Sequence, residues 1–490
     1  MSSTEKDKLF SLVQSLSPFE ERYFFKFTDL SQKKPEKLIE LFNSIRSNPD
    51  TKVLKDQFKG LPVLKLKLRN LILASLRTMQ DGERIESKVF GHLQDCQILY
   101  DRGLYSDSWK SLKEARNLAD KYELWGYALE ISRIEKHRIQ ETEKQDISGV
   151  IEVHRSKDTN RNVKINRDSE ISGIYHSFFA LYRESGAIDG EQKDKIDILL
   201  SVGINDSFMS QFYAKQALGI NCRAKGKMAD ARQYLLETID LWDQHPHRKR
   251  EFQGQYKVLL FNLAMYNISL GDYDAAADIR VRAAEIPDLT LNNKAETFQN
   301  LASLDLLLIL NKGEYHRKEE IEKFIKKGIQ DYTDKINAAR QFSICYNLMI
   351  LSMIVEDFKG AWFWLEEIIS QKKFNVRKEV HYSSRLLQLI MFYELEYWDP
   401  PDSVLIRTYR YLSRKDQLTV FKRSVLQYIS KLSQAPELEK QAILIEMKKE
   451  LTVIFKSEDT QNDRLGLQVV LGWVSGKIEN KRITEILPLQ

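Results

Sequence analysis

Phe261-Asn262-Leu263-Ala264-Met265-Tyr266, then Leu270-Gly271-Asp272-Tyr273-Asp274-Ala275-Ala276, then Ala283 and Pro287 make up the stretch on which the reading of the fold turns. An apolar helix runs into Gly271, the residue type that takes φ > 0 without a steric cost and so closes a helix in the left-handed conformation. Tyr273 opens a second helix and is placed to plug the gap between the two. Ala264, Ala276 and Ala283 put small side chains where paired helices cross, and a large side chain there would push the axes apart.

The turn recurs along the chain. Tyr105, Ile147, Ile188, Met228, Tyr273, Tyr315, Phe358 and Tyr397 follow one another at separations of 42, 41, 40, 45, 42, 43 and 39 residues, the mark of an internal repeat. Gly103, Gly186, Gly226, Gly271 and Gly313 each stand two positions before one of these anchors. With 20 Gly in 490 residues, chance places about 0.3 Gly at eight such positions, so turn and plug recur together. Glu356 replaces the glycine before Phe358.

This unit resembles the tetratricopeptide repeat. Leu263, Ala264, Gly271, Tyr273, Ala276 and Ala283 fall at the places of the family's pattern. A second copy runs through Leu218, Gly219, Gly226, Met228 and Ala231. A third, around Gly103, Tyr105 and Ala115, departs from the pattern with Ser108 where a small Ala is usual, and the unit at Phe358 keeps Ala361. The units near Ile147 and Tyr397 match weakly. A period of about 42 exceeds the family's ~34, which predicts helices about a turn longer. The resemblance covers residues 86–400 and implies an all-α fold, a right-handed α-α superhelical solenoid of tetratricopeptide-like helix pairs.

The two ends are read separately. Residues 1–80 predict a small basic helical domain: Leu16-Ser17-Pro18-Phe19-Glu20-Glu21 is a helix start with Ser17 as N-cap and Pro18 at the first position, and helices follow over Pro35–Ser47 and Pro62–Met79. The layout, with Glu21-Arg22-Tyr23-Phe24-Phe25-Lys26-Phe27, is similar to a bacterial family of tetratricopeptide proteins of unassigned function. In residues 401–490, helices over Ser403–Gln434, Pro436–Lys456 and Asp463–Asn480 are expected to cap the array, whose last apolar face would otherwise meet water.

Composition narrows the classes. Ten Pro and 20 Gly in 490 residues, with 42% hydrophobic and 30% charged residues, suit long helices around a sizeable core. Met1–Lys8 is polar and no apolar segment follows, so no signal peptide is expected. The apolar stretch Leu304–Leu310, interrupted by Asp305, is far shorter than the ~20 residues of a membrane-spanning helix, and no membrane insertion is expected. Cys96, Cys222 and Cys345 lie more than a hundred residues apart, which suits a reducing cytoplasm and gives neither a disulfide framework nor a metal cluster.

No Gly-rich phosphate loop, H-E-x-x-H, G-x-S-x-G or C-x-x-C occurs, so neither catalytic residues nor a cofactor or metal site is expected. His245-Pro246-His247, followed by Arg248-Lys249-Arg250, reads as an inter-helix turn that lacks a third metal ligand. Residues 1–80 hold 15 Lys/Arg against 9 Asp/Glu, an excess that accounts for the chain's formal net charge of +5. Tyr23-Phe24-Phe25-Lys26-Phe27 beside basic residues could stack on bases, but Phe10, Phe19, Tyr23 and Phe27 keep the spacing of a helical core stripe.

The resemblance implies that first helices line a concave surface, where Tyr213, Gln216, Phe261, Met265, Ser303, Tyr346 and Ile350 would form a partner-binding groove or pack inside the array. The repeated Lys and Asn clamp by which some family members hold a peptide's terminal carboxylate is absent from the pattern. The expectation is a non-catalytic cytoplasmic scaffold or adaptor for a protein or peptide. The rival is a regulator whose N-terminal domain touches nucleic acid through Lys65-Leu66-Lys67-Leu68-Arg69 while the repeats sense a partner.

Overall fold

The five turn glycines adopt the left-handed conformation, with φ of 75° at Gly103, 73° at Gly186, 72° at Gly226, 79° at Gly271 and 71° at Gly313. Glu356 adopts it as well, at 61°, so the turn persists where the glycine is missing. The helices Tyr105–Lys121, Met228–Asp243, Tyr273–Glu285 and Phe358–Ser370 begin at the anchors, and Tyr315–Arg317 forms one 3-10 turn before Lys318–Asp331.

The computed structural model describes residues 8–30, 35–47, 54, 56–79, 84–139, 147–188, 192–288, 290–333, 335–370, 377–395, 401–414, 418–456 and 464–487. The Tyr397 anchor lies outside the described residues. Among them helix is the only regular structure apart from turns, and adjacent helices pack in pairs, as a helical repeat requires. The chain divides into two units, residues 1–173 with 202–211 and residues 174–201 with 212–490.

In the first unit, Lys8–Ser15, Pro18–Asp29, Glu36–Ser47 and Leu61–Met79 enclose their own core, in which Phe24 stacks on Phe42 with centroids 4.8 Å apart. Ser17 and Glu20 form a reciprocal capping box: Glu20 N donates to Ser17 Oγ at 3.2 Å and Ser17 N to Glu20 Oε2 at 2.7 Å. The expected stripe is displaced. Phe19 is 61% exposed, because the buried face of its helix is set by Phe24 and Thr28, one turn apart. A second cluster joins Ile85–Asp101, Tyr105–Lys121 and Trp125–Ile139 through Val89, Cys96, Leu112, Ala115 and Ile131. Ser108, the departure from the repeat pattern, is fully buried and satisfies its hydroxyl by donating to Cys96 O at 2.6 Å.

Two sequence expectations fail locally. Ile147 opens one continuous helix, Ile147–Ser185, in place of a hairpin, since no Gly or Pro interrupts residues 150–172. Tyr105 is 56% exposed and does not plug its turn; its ring meets Tyr100 edge-on at 5.3 Å on the surface.

In the second unit Ala231, Ala264, Ala276, Ala283 and Ala361 are all buried at helix crossings. Gln253–Ser269 packs on its partner Tyr273–Glu285 and also on Leu291–Lys312; Leu291–Lys312 in turn packs on Ala338–Ile354, and that helix on Lys378–Glu394. One cluster of buried side chains extends from Phe298 to Leu487, so the C-terminal helices share a core with the helices before them. The expected single helix over 403–434 is two, Pro401–Arg414 and Val420–Gln434; Thr419 starts the second, its Oγ1 accepting from Lys422 N at 3.4 Å.

Candidate partner-binding cleft

Gln253–Ser269, Leu291–Lys312, Ala338–Ile354 and Lys378–Glu394 lie side by side in the second unit and turn one polar-apolar face to a common cleft. Local chemistry fixes their starts. Thr290 Oγ1 accepts from Asn293 N at 3.1 Å, and Asn337 Oδ1 accepts from Ala339 N at 2.9 Å. Asn337 N donates to Gln299 Oε1 at 2.8 Å, which sets the Ala338–Ile354 helix against its neighbour.

The cleft has a volume of about 500 Å³, within the range of ligand-binding clefts. Phe261, Met265, Leu304, Leu307, Tyr346, Val380 and Leu465 supply its apolar surface. Asn262, Asn300, Ser303, Ser343, Asn347 and Ser383 supply hydrogen-bonding groups, and Arg340, Arg377 and Glu379 its charges. Arg377 Nε pairs with Glu379 Oε1 at 2.6 Å. Arg340 Nη1 donates to Asn300 Oδ1. The protein packed around Arg340 pulls its guanidinium below the usual range, against the charge of Glu296.

The structure gathers four of the seven sequence-predicted groove residues here: Phe261, Met265, Ser303 and Tyr346. Met265 is 39% exposed, while Phe261 is buried, at 3%. Ile350 is fully buried within the core and does not face the cleft. Tyr213 and Gln216 lie elsewhere on the unit: Tyr213 packs against Tyr175 with centroids 5.1 Å apart, and Gln216 Nε2 donates to Thr238 Oγ1 at 3.1 Å. Arg223 on the same helix as Gln216 lies over Tyr182 at 5.4 Å and Tyr266 at 5.5 Å, so aromatic surface continues on to the helix that carries Met265.

Arg340, Arg377, Asn262, Asn300 and Asn347 were missed by reading the sequence. Asn300 and Ser343 sit three residues before Ser303 and Tyr346, one helical turn away, which is the available signal. Arg377 and Glu379 carry no periodicity because they stand at a helix start, where Arg377 has φ of 53°.

Other reactive side chains are engaged structurally. Burial pushes the Cys345 thiol up to about 12 and also raises that of Cys222, opposite to what a nucleophile needs. Ser132, His154 and Asp158 converge in the first unit, but Ser132 Oγ donates to Asp158 Oδ2 at 2.8 Å, and His154 Nδ1, 3.2 Å from that hydroxyl, does not bridge the two. Burial draws the Asp158 carboxyl up, but hydrogen bonds from Lys136 and Ser132 outweigh it and hold the group low. His245 and His247 have ring centroids 6.0 Å apart, and no group of three metal-binding side chains occurs among the described residues. Nor is any helix of the described residues long and apolar enough to cross a membrane. No family model, no curated protein and no solved structure matches the chain at a significant level.

Proposed function

We propose that this chain is a non-catalytic binding protein of the cytoplasm, a tetratricopeptide-like right-handed solenoid that holds a protein or peptide segment on the face formed by its first helices. The observation that carries the reading is the cleft itself. Residues from four consecutive first helices and from Leu465 converge on about 500 Å³ of mixed apolar and amide-bearing surface. Apolar pockets for side chains and amide groups for a peptide backbone are what recognition of an extended or helical segment requires. In this reading the helices after residue 401 close the end of the array.

The test places a photo-crosslinking benzoylphenylalanine at Met265 in the full chain, expressed in its own host, and sequences what is captured by mass spectrometry. Capture of a defined polypeptide segment, lost on adding the Ser343→Glu change in the same cleft, supports the reading. Capture unaffected by Ser343→Glu, or none at all, sinks it.

A nucleic-acid partner is the second reading, because Lys67, Arg69 and Arg77 on the Leu61–Met79 helix have no ion pair among the described residues. Val63 and Leu66, 57% and 59% exposed on that helix, are better suited to a protein surface. A salt-dependent affinity of the full chain for duplex DNA or RNA, abolished by Lys67→Glu with Arg69→Glu, would favour this reading over the first.

A further inference from the structure

Arg340 faces the cleft without an acidic partner. Among the described residues no carboxylate comes within ion-pair distance of its guanidinium, which hydrogen-bonds the neutral Asn300 side chain, itself buried. Glu296 acts on it only through space. The second guanidinium of the cleft is different, since Arg377 is already neutralised by Glu379. The lining holds no Lys and no Asp, so two positive charges face one negative, and the surplus is concentrated on Arg340. Arg340 also lies in the first turn of the Ala338–Ile354 helix, the positive end of its dipole, with Asn337 Oδ1 capping the Ala339 and Arg340 amides.

Arg340 is exposed to solvent in the cleft, held in place by an amide and without a counter-charge, so its remaining N–H groups are open to an arriving anion. Met265, Leu304, Leu307 and Tyr346 share the lining with it. Resting on the peptide-binding reading above, we infer that the cleft's partner is an internal acidic peptide motif, in which an Asp or Glu side chain meets Arg340 while a neighbouring large apolar side chain enters between Met265, Leu304 and Tyr346. Arg rather than Lys suits this role, because the planar guanidinium can spend one N–H on Asn300 and offer others to a carboxylate as a fork. Charge complementarity would set which segment is accepted, and apolar burial most of the affinity.

The experiment pans a random dodecapeptide library on the full chain, each peptide displayed with its C-terminus fused to the coat protein. No displayed peptide then has a free terminal carboxylate, so any preference for acid belongs to a side chain. Wild type, Met265→Glu, Arg340→Gln and Arg340→Glu are compared, with matching thermal melts to show that each is folded. Peptides enriched in Asp or Glu next to Leu, Phe or Met, with the acid lost on Arg340→Gln and replaced by Lys or Arg on Arg340→Glu, are the expected result. A synthetic consensus peptide should bind Arg340→Gln roughly tenfold more weakly than wild type, and its Asp→Asn or Glu→Gln analogue should lose no further affinity on that variant. Enrichment without acid, or with acid that survives Arg340→Gln, overturns the inference and leaves peptide binding standing. No enrichment beyond that of Met265→Glu overturns both.

Discussion

Glu356 Oε1 accepts a hydrogen bond of 2.9 Å from the backbone N–H of Ile483, a residue 127 positions further along the chain. Glu356 occupies the left-handed turn position that glycine fills in five other turns, and Ile483 is the first residue of the short helix Ile483–Ile486. Its side chain thus serves as the N-terminal acceptor of a helix near the other end of the unit. Glu123, the left-handed residue before Trp125, does the same for Phe208 N at 2.9 Å. A side chain with φ > 0 costs about 1 kcal/mol relative to glycine, and a charge-assisted hydrogen bond returns about as much.

Glu356→Gly should therefore change the melting temperature little, because relief of the backbone and loss of the acceptor offset one another. The effect should appear locally, as faster hydrogen exchange of the Ile483 amide. Glu356→Gln keeps an acceptor and should leave that exchange close to wild type.

Two glycines in helix interiors should respond in opposite directions to alanine. A Cβ on Gly328 would overlap the Phe298 ring, so Gly328→Ala forces the two helices apart and should destabilise by about 1–3 kcal/mol. A Cβ on Gly91 meets nothing within 4 Å, and Gly91→Ala should stabilise by about 1 kcal/mol through helix propensity alone. Urea unfolding of both variants checks the pair.

Acidification should weaken the first unit through His154. Burial, then the Arg116 charge, lowers its folded pKa below the ordinary 6.5. The unfolded chain therefore takes up the proton first, and stability present above pH 6.5 is lost as pH falls toward the folded pKa, then levels off. Glu135, 3.5 Å from His154 Nδ1, has its carboxyl raised by burial and acts in the opposite sense: its contribution is full below its ordinary 4.5 and is lost as pH rises through the folded value. Asp158, Lys136 and Lys157 complete the charged surroundings of His154, alongside Arg116. His154→Gln should flatten the dependence between pH 7 and pH 5 in denaturant melts. An unchanged slope would place the sensitivity elsewhere, for example at His381, which burial also lowers.

Removing residues 403–490 should expose an apolar face and cause aggregation. Arg464–Glu479 packs on both Ala338–Ile354 and Lys378–Glu394, and Trp473 Nε1 donates to Glu394 Oε1 at 2.7 Å across the second of these contacts. Size-exclusion chromatography gives the answer, and a monodisperse truncated chain that melts cooperatively would contradict the shared core.

The sequence by itself determined what depends on near neighbours. Gly103, Gly226 and Gly271 could be read as left-handed turns, and Ala264, Ala276 and Ala283 as close crossings, because backbone sterics and helical periodicity act over a few residues. Ser17 with Glu20 was legible as a helix start for the same reason. Tertiary structure alone decided which helical faces are covered. Met265 and Ile350 both read as apolar groove positions, yet Met265 is exposed and Ile350 is sealed in the core. The difference lies in residues far away along the chain that cover one face and not the other. Arg340 and Arg377 come together with Asn262, Asn300 and Asn347 through the stacking of helices, and Glu356 finds Ile483 across 127 residues. Such meetings leave no periodic trace in a sequence, because their partners are fixed by packing and not by spacing.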